Sequence, residues 1–252
     1  MKFGFTTTSV RQIKSLEKIV ELAVSCKADC IEWGGDIHVK DVETAKKAKK
    51  LCDDNNIEIS SYGCYYRVGS CDNKKWEEIC KIASALGASY IRVWLGRKDS
   101  EKTDSEYYNT ILSDLKEICD KAQEYSLAVC PECHDNTYNN NTDAFLKIRS
   151  DCEKENLYTY FQSRYKKLGY DIDRIKRTIP FTKLVHISFS ELRREQFPKF
   201  NPGYMDTIID TLLTEGFDGI WLIEYTTPSQ RTGFTKCLKK DIEKLKQKVG
   251  RI

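Results

Sequence analysis

Residues 215–225 read EGFDGIWLIEY, and this stretch decides the fold. Gly216 can take the left-handed backbone that ends a helix. EGFDG then reads as a tight turn, and the apolar run that follows reads as a strand ending on a carboxylate, Glu224. Upstream, Asn201-Pro202 precedes GYMDTIIDTLLTEG, a helix whose start tolerates proline because its first N–H groups have no intrahelical partner. Helix, short turn, apolar strand and polar strand end together form one unit, and the unit repeats along the chain.

The strands predicted this way are Lys2–Thr6, Cys30–Gly34, Ile57–Tyr62, Tyr90–Leu95, Leu127–Glu132, Leu157–Phe161, Leu184–Phe189 and Gly219–Tyr225. They recur at roughly 30-residue intervals, and amphipathic segments lie between them, which means βαβ units and a parallel sheet. Leu16, Ile19, Val20, Ala23 and Val24 share one helical face. Asp41, Asp72 and Ser105 read as helix N-caps, with Gly87 as a C-terminal stop.

Eight such units can close into a barrel or remain an open doubly wound sheet. No GxGxxG or GxxxxGK[ST] phosphate loop follows an early strand. The polar residues of interest also fall at strand ends spread over the whole chain, and a closed barrel gathers those ends at one mouth. The expectation is therefore one domain over residues 1–252, a single α/β (β/α)8 TIM barrel, for which 252 residues is an ordinary length. The Asn-rich stretch from Asp135 to Thr142 reads as a loop after strand five, placed to rim a pocket.

Composition narrows the function classes. With 41 basic and 38 acidic side chains the net charge is +3, so no dedicated nucleic-acid surface is expected. The 11 cysteines fall in predicted helices and strands. An odd count in a chain this long is a poor disulfide framework, and reduced core thiols in the cytoplasm are the expectation. No cationic-then-apolar leader opens the chain and no apolar run approaches the ~20 residues of a membrane span, so no membrane partner is expected.

Only three histidines occur, His38, His134 and His186, each within or just past a predicted strand. Carboxylates join them, Glu132 ending strand five and Glu224 ending strand eight. A carboxylate after an apolar strand carries a burial penalty unless it is paired, hydrogen-bonded or metal-bound. Side chains alternate along a strand. By that rule Glu132 shares a face with Cys130 and His134, His186 with Leu184, Glu224 with Leu222, and Gln162 with Tyr160. Glu132, Gln162, His186 and Glu224 thus point inward near the top of four consecutive strands. Three oxygen donors and one imidazole suit Mn2+ or Mg2+, with Zn2+ or Co2+ as lesser candidates. Buried ion pairs of the two glutamates with arginine are the structural alternative.

The segments IEWGGDIHV, IRVWLG, CPECHDN, LVHISF and GFDGIWLIEY resemble, in order and over nearly the whole chain, the sugar phosphate isomerase/epimerase superfamily of xylose isomerase-like barrels. The resemblance implies a metal site from Glu132, Gln162, His186 and Glu224, with glutamine a weaker ligand than the aspartate or histidine common at that place. It implies that Glu132 and Glu224 also act as an acid/base pair, one removing the proton next to a ketose carbonyl and the other returning it. The expected function is a divalent-metal-dependent isomerase or epimerase of a small ketose or sugar phosphate. An inositol-type dehydratase and a non-catalytic sugar-binding or regulatory barrel stay open. A zinc-cluster abasic-site endonuclease fits poorly with three histidines and near-neutral charge. A homo-oligomer is allowed.

Five further residues are candidate substrate contacts. His134 shares the face of Glu132 and suits a substrate hydroxyl or a hydrogen bond to a ligand. Trp33 could stack on a sugar ring or pack in the core, and His38 follows it in a loop. Arg67 and Arg193 follow strands three and seven and suit a phosphate or carboxylate. Glu32 and Arg92 read as an ion pair in the barrel interior, since alternate strands contribute to the same layer.

Overall fold

Every strand runs parallel to its neighbours, and the last strand returns to pair with the first. The computed structural model describes residues 1–163, 167–189, 203–225 and 234–250. The strands are β1 (Lys2–Thr6), β2 (Cys30–Gly34), β3 (Glu58–Val68), β4 (Tyr90–Leu95), β5 (Ala128–Pro131), β6 (Thr159–Gln162), β7 (Thr182–Ile187) and β8 (Ile220–Ile223). Their order is β5-β4-β3-β2-β1-β8-β7-β6. Between β5 and β6 there is no continuous ladder. Two isolated parallel bridges, Val129 with Leu157 and Glu132 with Tyr160, complete the ring. The chain is thus the expected (β/α)8 barrel, closed by a thin seam.

The helices are α1 (Leu16–Ser25), α2 (Val42–Asp54), α3 (Asn73–Leu86), α4 (Ser105–Glu124), α5 (Thr142–Cys152), α6 (Leu168–Thr178), α7 (Tyr204–Thr214) and α8 (Phe234–Val249). Their starts follow from short polar side chains that satisfy the first free N–H groups. Asp41 forms a reciprocal capping box with Thr44, and Asp72 accepts from Lys75 N at 3.0 Å. Asp104, not Ser105, caps α4, accepting from Tyr107 N at 2.8 Å, so Ser105 is already helical. Gly87 closes α3 at φ 77°, a backbone that costs other residues strain. Asn201-Pro202 lies outside the described residues.

β3 runs six residues past its expected end at Tyr62. Its register against β4 breaks between Gly63 and Arg67, and the β-prone run Tyr65–Val68 continues the strand beyond the break. β5, β6 and β8 have four residues each, shorter than expected.

Strand alternation splits the core in two. Outward residues, among them Ile31, Trp33, Val93, Phe161, Trp221 and Ile223, pack with apolar residues of the helices such as Ile19, Ala48 and Ile118. Inward, Cys30, Cys130, Tyr160, Leu184 and Leu222 form a separate plug inside the barrel. All 11 cysteines are free, and nine are buried. Among the described residues no helix is long and apolar enough to cross a membrane.

Candidate active site

Two positions beyond each member of the inner plug stands a polar side chain. Cys30 is followed by Glu32, Cys130 by Glu132, Tyr160 by Gln162, Leu184 by His186 and Leu222 by Glu224. Period-two alternation makes these five residues the upper layer of the barrel interior.

Glu132 is fixed first by its backbone, whose N–H reaches Val93 O at 3.0 Å and whose carbonyl accepts from Asn139 Nδ2 at 3.1 Å. Its Oε2 accepts from Arg92 Nη1 at 3.1 Å and from Trp94 Nε1 at 2.7 Å. Its Oε1 lies 3.3 Å from His186 Nδ1. Glu224 Oε2 lies 3.7 Å from the same nitrogen and accepts from Gln162 Nε2 at 2.5 Å. Just past Glu224 the chain bends sharply, with Tyr225 at φ 61°. Such a backbone is uncommon outside glycine and persists where surrounding bonds enforce it. Here Tyr225 N donates to Ser9 Oγ at 2.9 Å and Tyr225 O accepts from Ser188 Oγ at 2.9 Å.

Below this cluster, Glu32 Oε2 accepts from Tyr160 OH at 2.8 Å and Ser61 Oγ at 3.0 Å, and lies 3.4 Å from His186 Nε2. Its Oε1 stands 3.8 Å from Arg92 Nε, the expected ion pair. Arg92 therefore joins Glu32 to Glu132. A Cβ at Gly63 would meet Arg92 Nη2 at 3.0 Å and Glu32 Oε1 at 3.2 Å, so glycine leaves room for the pair.

Glu32, Arg92, Glu132, His186 and Glu224 are buried, and protonation here follows from the balance of burial against pairing. Burial opposes charge on Glu32, but Arg92 and His186 outweigh it and hold the carboxyl at about 2. Burial opposes charge on Glu132 as well, and Arg92 with His186 draws it well below the usual carboxylate range. The His186 ring is pushed down by burial and up by Glu224 and Glu32, with the net result about 10. Pairing thus favours ionised Glu32 and Glu132 beside Arg92 and a protonated His186.

A cavity of about 120 Å³ opens over the cluster. Glu132, Gln162, Glu224 and Arg92 line its floor, and Thr8, Arg11, Tyr65, Trp94, His134 and Tyr225 line its walls. His134 stacks on Trp94 at 5.1 Å between ring centres and sits exposed at the mouth. Three other candidates are not among the residues that line it. Trp33 faces outward on β2 and is fully buried in the outer core. His38 is buried beside it, with Nε2 2.8 Å from Ile13 O. Arg67 lies over Trp94 at 3.9 Å and donates to Gly96 O and Asn136 O. Arg193 lies outside the described residues. Trp94 was accessible to the same alternation rule that gave Arg92, two positions earlier. Thr8 lies in a one-turn 3-10 helix (Thr7–Val10) that Arg11 ends, and Tyr225 follows β8, so none of the three lies in a segment long enough to carry a periodic signal.

The donors fit a divalent ion. Glu132, His186 and Glu224 each offer a ligand atom, and these atoms lie within 4.8 Å of one another. Two ligands at about 2.1 Å from one Mg2+ stand about 3–4 Å apart, so small side-chain movements bring the set to an ion. Gln162 Oε1 is buried without a hydrogen-bond partner, a further neutral oxygen beside the set.

Fold and site together define a parallel (β/α)8 barrel that gathers carboxylates and the His186 imidazole beneath its mouth, with His134 at the rim. The sequence pattern of the xylose isomerase-like TIM barrel matches residues 20–248, and the chain belongs to that family. Among solved structures it is similar to a probable 3-DHS dehydratase from Bacillus anthracis, at 19% identity and TM-score 0.79, over 97% of this chain and 98% of that one. It is also similar to a D-psicose 3-epimerase determined in the presence of D-fructose, at 16% identity and TM-score 0.77, over 99% of this chain and 100% of the other. An L-ribulose 3-epimerase aligns at 14% identity and TM-score 0.77, over 99% and 94%. At these identities the likeness establishes the fold. No curated protein matches the chain.

Proposed function

We propose that this protein is a divalent-metal-dependent isomerase or epimerase of a small ketose or ketose phosphate. The observation that carries the proposal is that ligand atoms of Glu132, His186 and Glu224 lie within 4.8 Å of one another, with both carboxylates lining a cavity at the barrel mouth. The epimerase neighbours, one of them determined in the presence of D-fructose, support a ketose as substrate. Glu132, His186 and Glu224, with Gln162 as a fourth donor, would hold Mn2+ or Mg2+. Such an ion would polarise the substrate carbonyl and offset the charge that develops when the neighbouring C–H proton leaves.

The side chains of the chain divide the remaining work. Glu132 is locked in place and kept ionised by Arg92 and Trp94. Glu224 stands across the site, oriented by Gln162. One carboxylate takes the proton and the other returns it, to the opposite face in an epimerase or to the neighbouring carbon in an isomerase. Tyr65, Trp94 and His134 line the cavity and give the sugar carbons an aromatic wall. The 11 free thiols suit a reducing compartment, and the cytoplasm is the proposed location.

Incubation with a panel of ketoses and ketose phosphates in D2O with Mn2+ tests this reading. The expected result is deuterium at the carbon next to the carbonyl, seen by NMR. Loss of a hydroxyl from a polyol substrate without such exchange would instead indicate a dehydratase. Sugar binding with no exchange at all would sink the catalytic reading.

A further inference from the structure

We infer that Glu32 is a positioning residue for His186, accepting the Nε2 proton so that Nδ1 faces the space between Glu132 and Glu224. The inference rests on the reading of that space as a divalent-metal site.

The two ring nitrogens face different acids. Nδ1 lies 3.3 Å from Glu132 Oε1 and 3.7 Å from Glu224 Oε2, on the cavity side. Nε2 lies 3.4 Å from Glu32 Oε2, on the side of the inner plug. Glu32 is fully buried, does not line the cavity and stands outside the group of ligand atoms. Its reach into the site therefore runs through His186.

A buried carboxylate at this depth is costly unless it is satisfied. Three other strands partner it, although Oε1 accepts no hydrogen bond and has only the charge of Arg92 beside it. Ser61 of β3 and Tyr160 of β6 donate to Oε2, and Arg92 of β4 stands beside Oε1. The hydroxyl donors leave Oε2 aimed at His186 of β7. This carboxylate–imidazole arrangement behind a metal ligand fixes which nitrogen is free and raises its basicity. Without Glu32, neither ring orientation nor tautomer is specified on the inner side.

Calorimetric titration with Mn2+ separates this inference from the metal reading. Wild-type protein is expected to bind Mn2+. Glu32→Ala is expected to bind about 10–100-fold more weakly. Glu32→Gln, which can still accept the Nε2 proton through its amide oxygen, is expected to fall between them. If the wild type binds no Mn2+, the metal reading fails and this inference with it. If wild type and a folded Glu32→Ala bind equally well, only the role of Glu32 is overturned. Should Glu32→Ala not fold, the wild type still decides. In 15N-histidine-labelled protein loaded with diamagnetic Zn2+, only three imidazoles contribute. His186 is expected to show a protonated Nε2 and a metal-bound Nδ1, and the reverse pattern overturns the inference.

Discussion

Inside the barrel, Cys30, Cys130, Tyr160, Leu184 and Leu222 pack against one another, and two residues further along the same strands stand Glu32, Glu132, Gln162, His186 and Glu224. About 6.6 Å separates the two sets. The lower set is held by shape, so a side chain of similar volume can replace another at small cost. The upper set is held by charge. Glu32 and Glu132 share Arg92, and the carboxylates Glu132, Glu224 and Glu32 surround His186. Removing one member of such a set leaves its partners buried and unpaired. A barrel can therefore carry a highly charged site directly on an apolar plug, provided that the charges are satisfied by one another.

The contrast can be broken at several places. Glu224→Gln keeps the shape of the upper layer but removes a base. Its kcat on a ketose turned over by the wild type should fall on the order of 10²–10⁴-fold, measured by steady-state kinetics. Unchanged turnover would remove Glu224 from the acid/base pair. Arg92→Leu should destabilise the fold by about 3–5 kcal/mol in urea denaturation, because two buried carboxylates lose their shared cation. Leu222→Met, one layer below, should cost under about 1.5 kcal/mol in the same assay. Similar costs for the two variants would mean that the layers do not differ in the way described.

A smaller effect lies outside the barrel, in α8. Asp241 is half-buried, its Oδ2 is buried without a hydrogen-bond partner, and desolvation pushes its carboxyl up from 3.8 to about 7 despite the charge of Lys244. Pairing pulls Glu32 the other way. With its folded-state value raised, Asp241 favours the fold most at low pH. That contribution is lost as the pH rises from about 4 through about 7. Asp241→Asn should thus be more stable than wild type at pH 8, by on the order of 1 kcal/mol, with little gain at pH 4. Denaturation midpoints at the two pH values check it.

Much of this was legible in the sequence because it depends on local periodicity. Strand–helix units give the barrel, and alternation places Glu132, Gln162, His186 and Glu224 inward without knowledge of their neighbours. The same rule, applied strictly, puts Trp33 on the opposite face from Glu32, where the structure has it buried in the outer core. What was not legible is what meets across the barrel. Arg92 was expected to pair with Glu32, yet it also reaches Glu132, and nothing in the spacing links Glu32 to His186, 154 residues away. Arg11 and Thr8 reach the mouth from a single 3-10 turn, too short for the sequence to assign it a face.

The seam between β5 and β6 gives the ring a clasp. Opening free energies differ across a fold, and the thinnest pairing is where a closed sheet breathes first. Glu132 stands on one side of that seam, and His186 on β7 and Glu224 just past β8 stand beyond it. A ligand that grips all three fastens the barrel as well as filling its mouth. Hydrogen exchange at the amides of Val129 and Tyr158, which bond across the seam at 2.9 Å each, should then slow when Mn2+ is added.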